Sequence, residues 1–244
     1  MKSKEIFFAF LSGILLALSY PPISLGFFAW FALVPLFYYL FQSKDLKYTI
    51  ILGFISSITS NLIILNWIAI NSGTSVSTAI ITYFSASLYL TIFWIFFSIG
   101  VHFTPKRIKL FFVPLLWVFI VEILRNFGSL AFPWLDLSIT QSNYNRIIQL
   151  ISIESHTISF IIILFNILIH EYLVSRKNKF ILYFSTTLLV IMLIGNFQIN
   201  YYNRIQPKTF LSISIGQPVI FPDEKWDREL RQKNFQIMES LLLE

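Results

Sequence analysis

The chain is 244 residues long, 56% hydrophobic and only 12% charged, with 27 Phe and a mean hydropathy of +0.72. A soluble domain carries about 25% charged residues, so this composition excludes an ordinary water-soluble fold and indicates a polytopic membrane protein. The formal net charge of +6 sits in short clusters between apolar runs, a topology signal rather than a nucleic-acid footprint, and the absence of Cys excludes disulfides, thiolate metal ligands and a thiol nucleophile within these residues.

Met1 to Glu5 carries Lys2 and Lys4 and leads into the apolar run Ile6 to Tyr20. This order resembles a signal peptide, but the run ends in Tyr20-Pro21-Pro22 rather than small residues, so a retained helix is expected. Further spans are expected over Ile23 to Gln42, with Pro35 as a kink, and over Tyr48 to Ile70 and Thr78 to Phe103. The remaining three are Leu110 to about Leu124, about Ile147 to Leu173, and Phe180 to Phe197. The first half of the sixth, IIQLISIESHTIS, is too polar for lipid. The basic loops Met1–Glu5, Ser43–Lys47, Thr104–Lys109 and Ser175–Lys179 alternate with loops holding little or no Lys or Arg. That alternation places the N-terminus in the cytoplasm and everything after Phe197 on the far side.

The stretch Pro114 to Gln141 stands out. It begins as apolar helix, meets Glu122 and Arg125 about one turn apart, and then breaks into a loop that still carries Phe127, Leu130, Phe132, Trp134 and Leu137. Aromatic residues there suit the membrane–water boundary. The loop reads either as an interfacial segment or as the entrance for a lipid. Glu122 and Arg125 read either as substrate-facing charges at the membrane edge or as a local i,i+3 pair, and Asp136 as a solvated carboxylate. Asn61, Asn66 and Asn166 are expected to hydrogen-bond between helices. His102, His156 and His170 lie in three segments without ligand spacing, so no metal site is expected. Glu154 and His156, two apart, are expected to face apart.

From Gln198 the character changes. Residues 198–208 read as a polar linker. Thr209 to Phe221 opens with period-2 alternation, Phe210, Ser212 and Ser214 against Leu211, Ile213 and Ile215, as in a half-buried strand. Asp227 is a candidate N-cap for a helix carrying Leu230, Ile237, Met238, Leu241 and Leu242 at helical spacing. One strand and one helix cannot enclose a core. The expected organisation is therefore a membrane domain of about seven transmembrane helices (1–197), a linker (198–208) and the truncated start of an α/β sandwich (209–244).

Four stretches resemble the apolipoprotein N-acyltransferase family. They are LSYPPISLGFFAWFALVPLFYYL near the start; the pair Asn66-Trp67; Pro114, Trp117, Glu122, Leu124-Arg125, Phe132-Pro133-Trp134 and Gln141; and SISIGQPVIFPDEKWD at the threshold of a carbon–nitrogen hydrolase (nitrilase-like) domain. Together they cover the whole chain but only the first half of the family's length. The segment around Val219–Phe221 departs from the family pattern. The resemblance implies a bacterial inner-membrane enzyme of lipoprotein biosynthesis that moves an acyl chain from a phospholipid to the N-terminal amine of a diacylated apolipoprotein. It also implies a Glu-Lys-Cys set in a periplasmic hydrolase domain, with Cys forming a thioester, Glu as general base and Lys at the oxyanion. These residues hold no such set. The expectation is a chain with no catalytic residue of its own, inactive alone, split or truncated, and completed by a second polypeptide, or else a non-catalytic membrane remnant or scaffold subunit. No cofactor and no nucleic-acid partner are expected. Trp226, Trp134, Glu122 and Arg125 are the candidate substrate-binding residues. Trp226, in Lys225-Trp226-Asp227, equally suits packing at the base of the new domain.

Overall fold

A computed structural model describes residues 3–152, 154–205, 215, 217–225 and 227–243. The helices, in order, are α1 (Ser3–Ser19), α2 (Val34–Leu40), α3 (Leu46–Ile64), α4 (Asn66–Ala69), α5 (Val76–Phe103) and α6 (Lys109–Leu116). They are followed by α7 (Asn145–Ile148), α8 (His156–Ser175), α9 (Lys179–Arg204), α10 (Pro222–Lys225) and α11 (Arg231–Leu243). Among the described residues there is no strand. The architecture is a helical membrane domain.

Among the described residues, four helices are long and apolar enough to cross a membrane, namely α3, α5, α8 and α9. The seven continuous spans expected from hydropathy are therefore corrected. The first, α1, is 17 residues long. The second divides into a 3-10 turn, Gly26–Trp30, and the seven-residue α2, whose first turn holds Pro35. The fifth gives way after Leu116 to a π-helical turn, Trp117–Ile123, and then a 3-10 turn, Leu124–Asn126. Of the polar first half of the sixth span, Ile147 to Ser152 stays out of the membrane helix in α7 and a 3-10 turn, Gln149–Ser152, whereas His156 to Ser159 form the first turn of α8. Helix α9 runs on through the expected linker as far as Arg204. Of the expected strand, residues 209–214 and 216 lie outside the described residues. Ile215 and residues 217–221 form no regular structure, so no start of a sandwich is found among the described residues. Asp227 is not the N-cap of α11, which starts at Arg231; its Oδ1 accepts from the Glu229 amide at 2.8 Å in the turn before that helix.

Small residues bring the long helices together. Gly13 of α1 lies against the Ser56 carbonyl and Thr59 of α3, and Gly53 of α3 against Ser98 of α5. Lipid tails are as apolar as the side chains, so close backbone approach and interhelical hydrogen bonds hold such bundles. Asn61 supplies one set, donating to the Ser87 carbonyl (3.3 Å) and to Thr91 Oγ1 (3.2 Å) on α5. Asn166 supplies another from α8, donating to the Ala29 carbonyl and accepting from the Leu33 amide, both at 2.8 Å. The first-turn amides of a helix lack partners within it. In the buried α2, Asn166 takes that of Leu33, and Ser12 Oγ of α1 takes that of Leu36 at 2.9 Å. The expectation for Asn61 and Asn166 holds, whereas Asn66 is exposed at the start of α4. Around this frame pack Phe37, Phe97, Trp117 and Phe165, all fully buried, with Trp94 and Phe97 meeting Trp117 edge-on.

The two ends of the bundle differ chemically. At one end Lys109 pairs with Glu171 of α8, and His102 meets Thr49 at 3.3 Å, which gathers the loops 43–47, 104–109 and 175–179. At the other end Tyr20, just after α1, donates to the Leu135 carbonyl at 2.8 Å and so anchors the aromatic loop.

Candidate functional site

The site is built where the fifth apolar segment loses its regular helix. A π turn adds a residue per turn and is frequent at functional positions. Here its next-to-last residue is Glu122, which is fully buried. Its carboxylate is saturated with donors. Trp117 Nε1 (3.3 Å) and the Leu137 amide (3.0 Å) reach Oε1, and His156 Nδ1 reaches Oε2 at 2.9 Å. An ionised carboxylate only accepts, and towards it His156 Nδ1 is the donor. Arg125, 3% exposed, turns to the loop instead, donating to the Leu135 carbonyl (3.3 Å) and forming an ion pair with Asp136. It also borders a cavity of about 20 Å³ shared with Tyr20, Asn61 and Trp94.

Three expectations are corrected by this geometry. Glu122 and Arg125 do not bond each other; each is satisfied by a different part of the chain. Asp136 is not a solvated loop carboxylate. Burial pushes its carboxyl above the ordinary range, the nearby Glu122 adds to this, and Arg125 opposes it. His156 and Glu154 do not simply face apart, because Glu154 Oε2 accepts from the His156 backbone amide at 2.7 Å. His156, set aside in sequence because its neighbours carried no ligand spacing, is the residue that sequence reasoning missed. It and Glu122 are 34 positions apart, and no local pattern joins them.

Glu122, Asp136 and His156 bring one ligand atom each within 4.8 Å of one another. That grouping has the donor types of a cation site. Its oxygens are already engaged by Arg125, the Trp117 indole and the Leu137 amide, so a cation would have to displace these buried partners and sit beside a guanidinium.

What the buried charges hold in place is a wall. Leu135 and Leu137 point into the core, at 8% and 0% exposure, while Trp134 stands 61% exposed and packs edge-on against Phe132. Phe132 and Trp134 face Pro21, Pro22, Trp67 and Ile70 across a mostly apolar cleft of about 480 Å³. Behind it, Gln141 accepts from Trp30 Nε1 (3.0 Å) and donates to the Gly26 carbonyl (2.9 Å), tying the loop's far end to the 3-10 turn. Of the four candidate substrate-binding residues, Trp134 lines the cleft and Glu122 and Arg125 support its wall from inside. Trp226 lies outside the described residues. Asn66-Trp67, distant in sequence, joins the cleft's opposite lip.

The fold and cleft define a helical membrane protein with a preformed apolar recess at one end of its bundle. Residues 12–168 match the family model described as the apolipoprotein N-acyltransferase N-terminal domain. The chain belongs to the apolipoprotein N-acyltransferase family. It is 27% identical over 250 residues to an apolipoprotein N-acyltransferase of Geobacter metallireducens, covering 98% of this chain and 48% of that protein. It is 28% identical over 200 residues to one of Thermotoga maritima, covering 78% and 39% respectively. The chain thus spans about half or less of the length of these curated relatives.

Proposed function

We propose that residues 1–244 form the lipid-handling membrane part of an apolipoprotein N-acyltransferase. The cleft between Trp134 and Trp67 receives an acyl chain of the donor phospholipid, and a diacylated lipoprotein is the acceptor. The observation that carries this reading is the apolar cleft itself, with one lip fixed to the core by two buried charges. Such a recess accepts a lipid chain without prior rearrangement, which limits the ordering cost of binding. Acyl transfer through a thioester needs a thiol, and these residues contain no Cys. The proposal therefore assigns the nucleophile, its base and its oxyanion donor to residues outside these 244, on the same or a second polypeptide. The basic end faces the cytoplasm of the bacterial inner membrane. The chain after α9 lies on the periplasmic side, and the proposal assigns Trp226 to substrate contact there.

The absence of Cys makes the test direct. Ile139, which lines the cleft, is changed to Cys and labelled with a fluorophore, and quenching by phospholipids brominated along the acyl chain is measured. Strong quenching that the bulky substitution Ile70→Trp reduces supports the reading. Quenching no greater than in detergent-dispersed controls overturns it. Acyl transfer to a lipopeptide amine is then assayed with residues 1–244 alone and with the missing hydrolase region added. Transfer is expected only in the second case. Failure to transfer even then, with the fluorophore still quenched, favours a non-catalytic lipid-binding scaffold.

A further inference from the structure

At the end of the bundle opposite the acyl cleft, two loops and the end of α5 converge on a second recess of about 470 Å³. Lys44 reaches it from the α2–α3 connection, Lys106 from the α5–α6 connection, Lys109 from the start of α6, and His102 from α5. Leu40 and Phe41 supply an apolar floor, and no Asp or Glu is among the lining residues. Lys109 is held in place, paired with Glu171 and lying 4.6 Å from the centre of the Phe41 ring. Lys44 and Lys106 are exposed. The nearest acidic neighbour in sequence, Asp45, is engaged at the start of α3, its Oδ1 accepting from the Lys47 amide at 2.9 Å.

The positive-inside rule accounts for lysines on this side of the membrane, but it asks nothing about where on that side they lie. Glu171 already balances Lys109. The repulsion to be offset is that of Lys44 and Lys106, brought to one recess from separate connections, and an anion joining them relieves it. A rim of ammonium groups above an apolar floor fits a ligand that is anionic at one end and greasy at the other. We propose that this recess binds the phosphate of an anionic phospholipid head group, with the first carbons of its chains against Leu40 and Phe41. Basic pockets between membrane helices recognise head groups in this way. The bound lipid is structural and separate from the acyl donor.

The test titrates the purified chain in detergent with phosphatidylglycerol or phosphatidylcholine and counts bound lipids by native mass spectrometry. Wild type is compared with Lys44→Gln/Lys106→Gln and with Arg176→Gln/Lys177→Gln, which removes equal charge at the same end but outside the recess. Saturable binding of phosphatidylglycerol over phosphatidylcholine is expected. It weakens about five-fold or more in the first variant and is unchanged in the second. Equal weakening in both variants, or none in either, overturns the proposal. Inorganic phosphate that displaces the lipid at equal concentration reassigns the recess to a free anion and overturns the lipid assignment. Melting curves without lipid verify that both variants fold, since all four substituted side chains lie at the loop surface.

Discussion

His156 at the start of α8 and Glu122 in the π turn meet at 2.9 Å, so one hydrogen bond joins two segments 34 positions apart at the root of the aromatic loop. The same carboxylate holds the Leu137 amide. Glu122 thus links α8, the π turn and the wall of the apolar cleft.

Replacing Glu122 by Ala removes the acceptor for the Leu137 amide, the Trp117 indole and His156 together. Leaving buried donors unsatisfied costs their full desolvation, and breaking a buried charged network costs about 3 kcal/mol or more. Glu122→Gln keeps an acceptor for the first two and is expected to cost about half as much. Thermal melts in detergent check both. Equal losses would show that only the charge, and not the acceptor, matters.

Asn166→Leu deprives the Leu33 amide and the Ala29 carbonyl of their partner in the buried turn before α2. A loss of about 2–4 kcal/mol is expected from two orphaned backbone groups. The measurement is a melt together with faster proteolysis between α1 and α3. Unchanged cleavage there would mean that α2 is held by its apolar contacts alone.

Gly26→Ala puts a methyl group into the Thr140 carbonyl oxygen, a backbone atom that cannot step aside without moving the loop. Overpacking of this kind costs about 1–3 kcal/mol, and the Trp30–Gln141 bond is expected to loosen with it. Gly128 has open space around it but a φ of +86°, so Gly128→Ala is expected to cost only about 1 kcal/mol, through backbone strain. Melts of the two variants side by side test the order. The larger loss at Gly128 would contradict the packing of the loop on the turn.

Asp136 has a folded-state pKa above its unfolded value. The native state therefore holds a proton more tightly than the unfolded chain, and stability contributed by this group rises as pH falls through the raised pKa. Asp136→Asn mimics the protonated form. It is expected to melt no lower than wild type at neutral pH, with its advantage shrinking as pH falls towards the ordinary carboxylate range. A growing advantage on acidification would reverse the sign and place Asp136 in a net favourable charged state.

Composition and hydropathy alone decide that this chain is a helical membrane protein, because about half the usual charge is missing and the apolar runs are long. The resemblance carried by Pro114 to Gln141 and by Asn66-Trp67 also lies in the linear order of residues, and residues 12–168 match the family's N-terminal domain. Where the helices break was less legible. Hydropathy registers the apolar runs that hold Pro35 and Trp117 as spans, whereas backbone geometry divides them before α2 and after Leu116, and among the described residues four continuous crossings remain. The partners of Glu122, Arg125 and Asp136 were decided by tertiary structure alone. A buried charge bonds to whatever packing brings within about 3 Å, here His156, Leu135, Leu137 and one another's neighbours across the loop, and separation along the chain carries no trace of that choice.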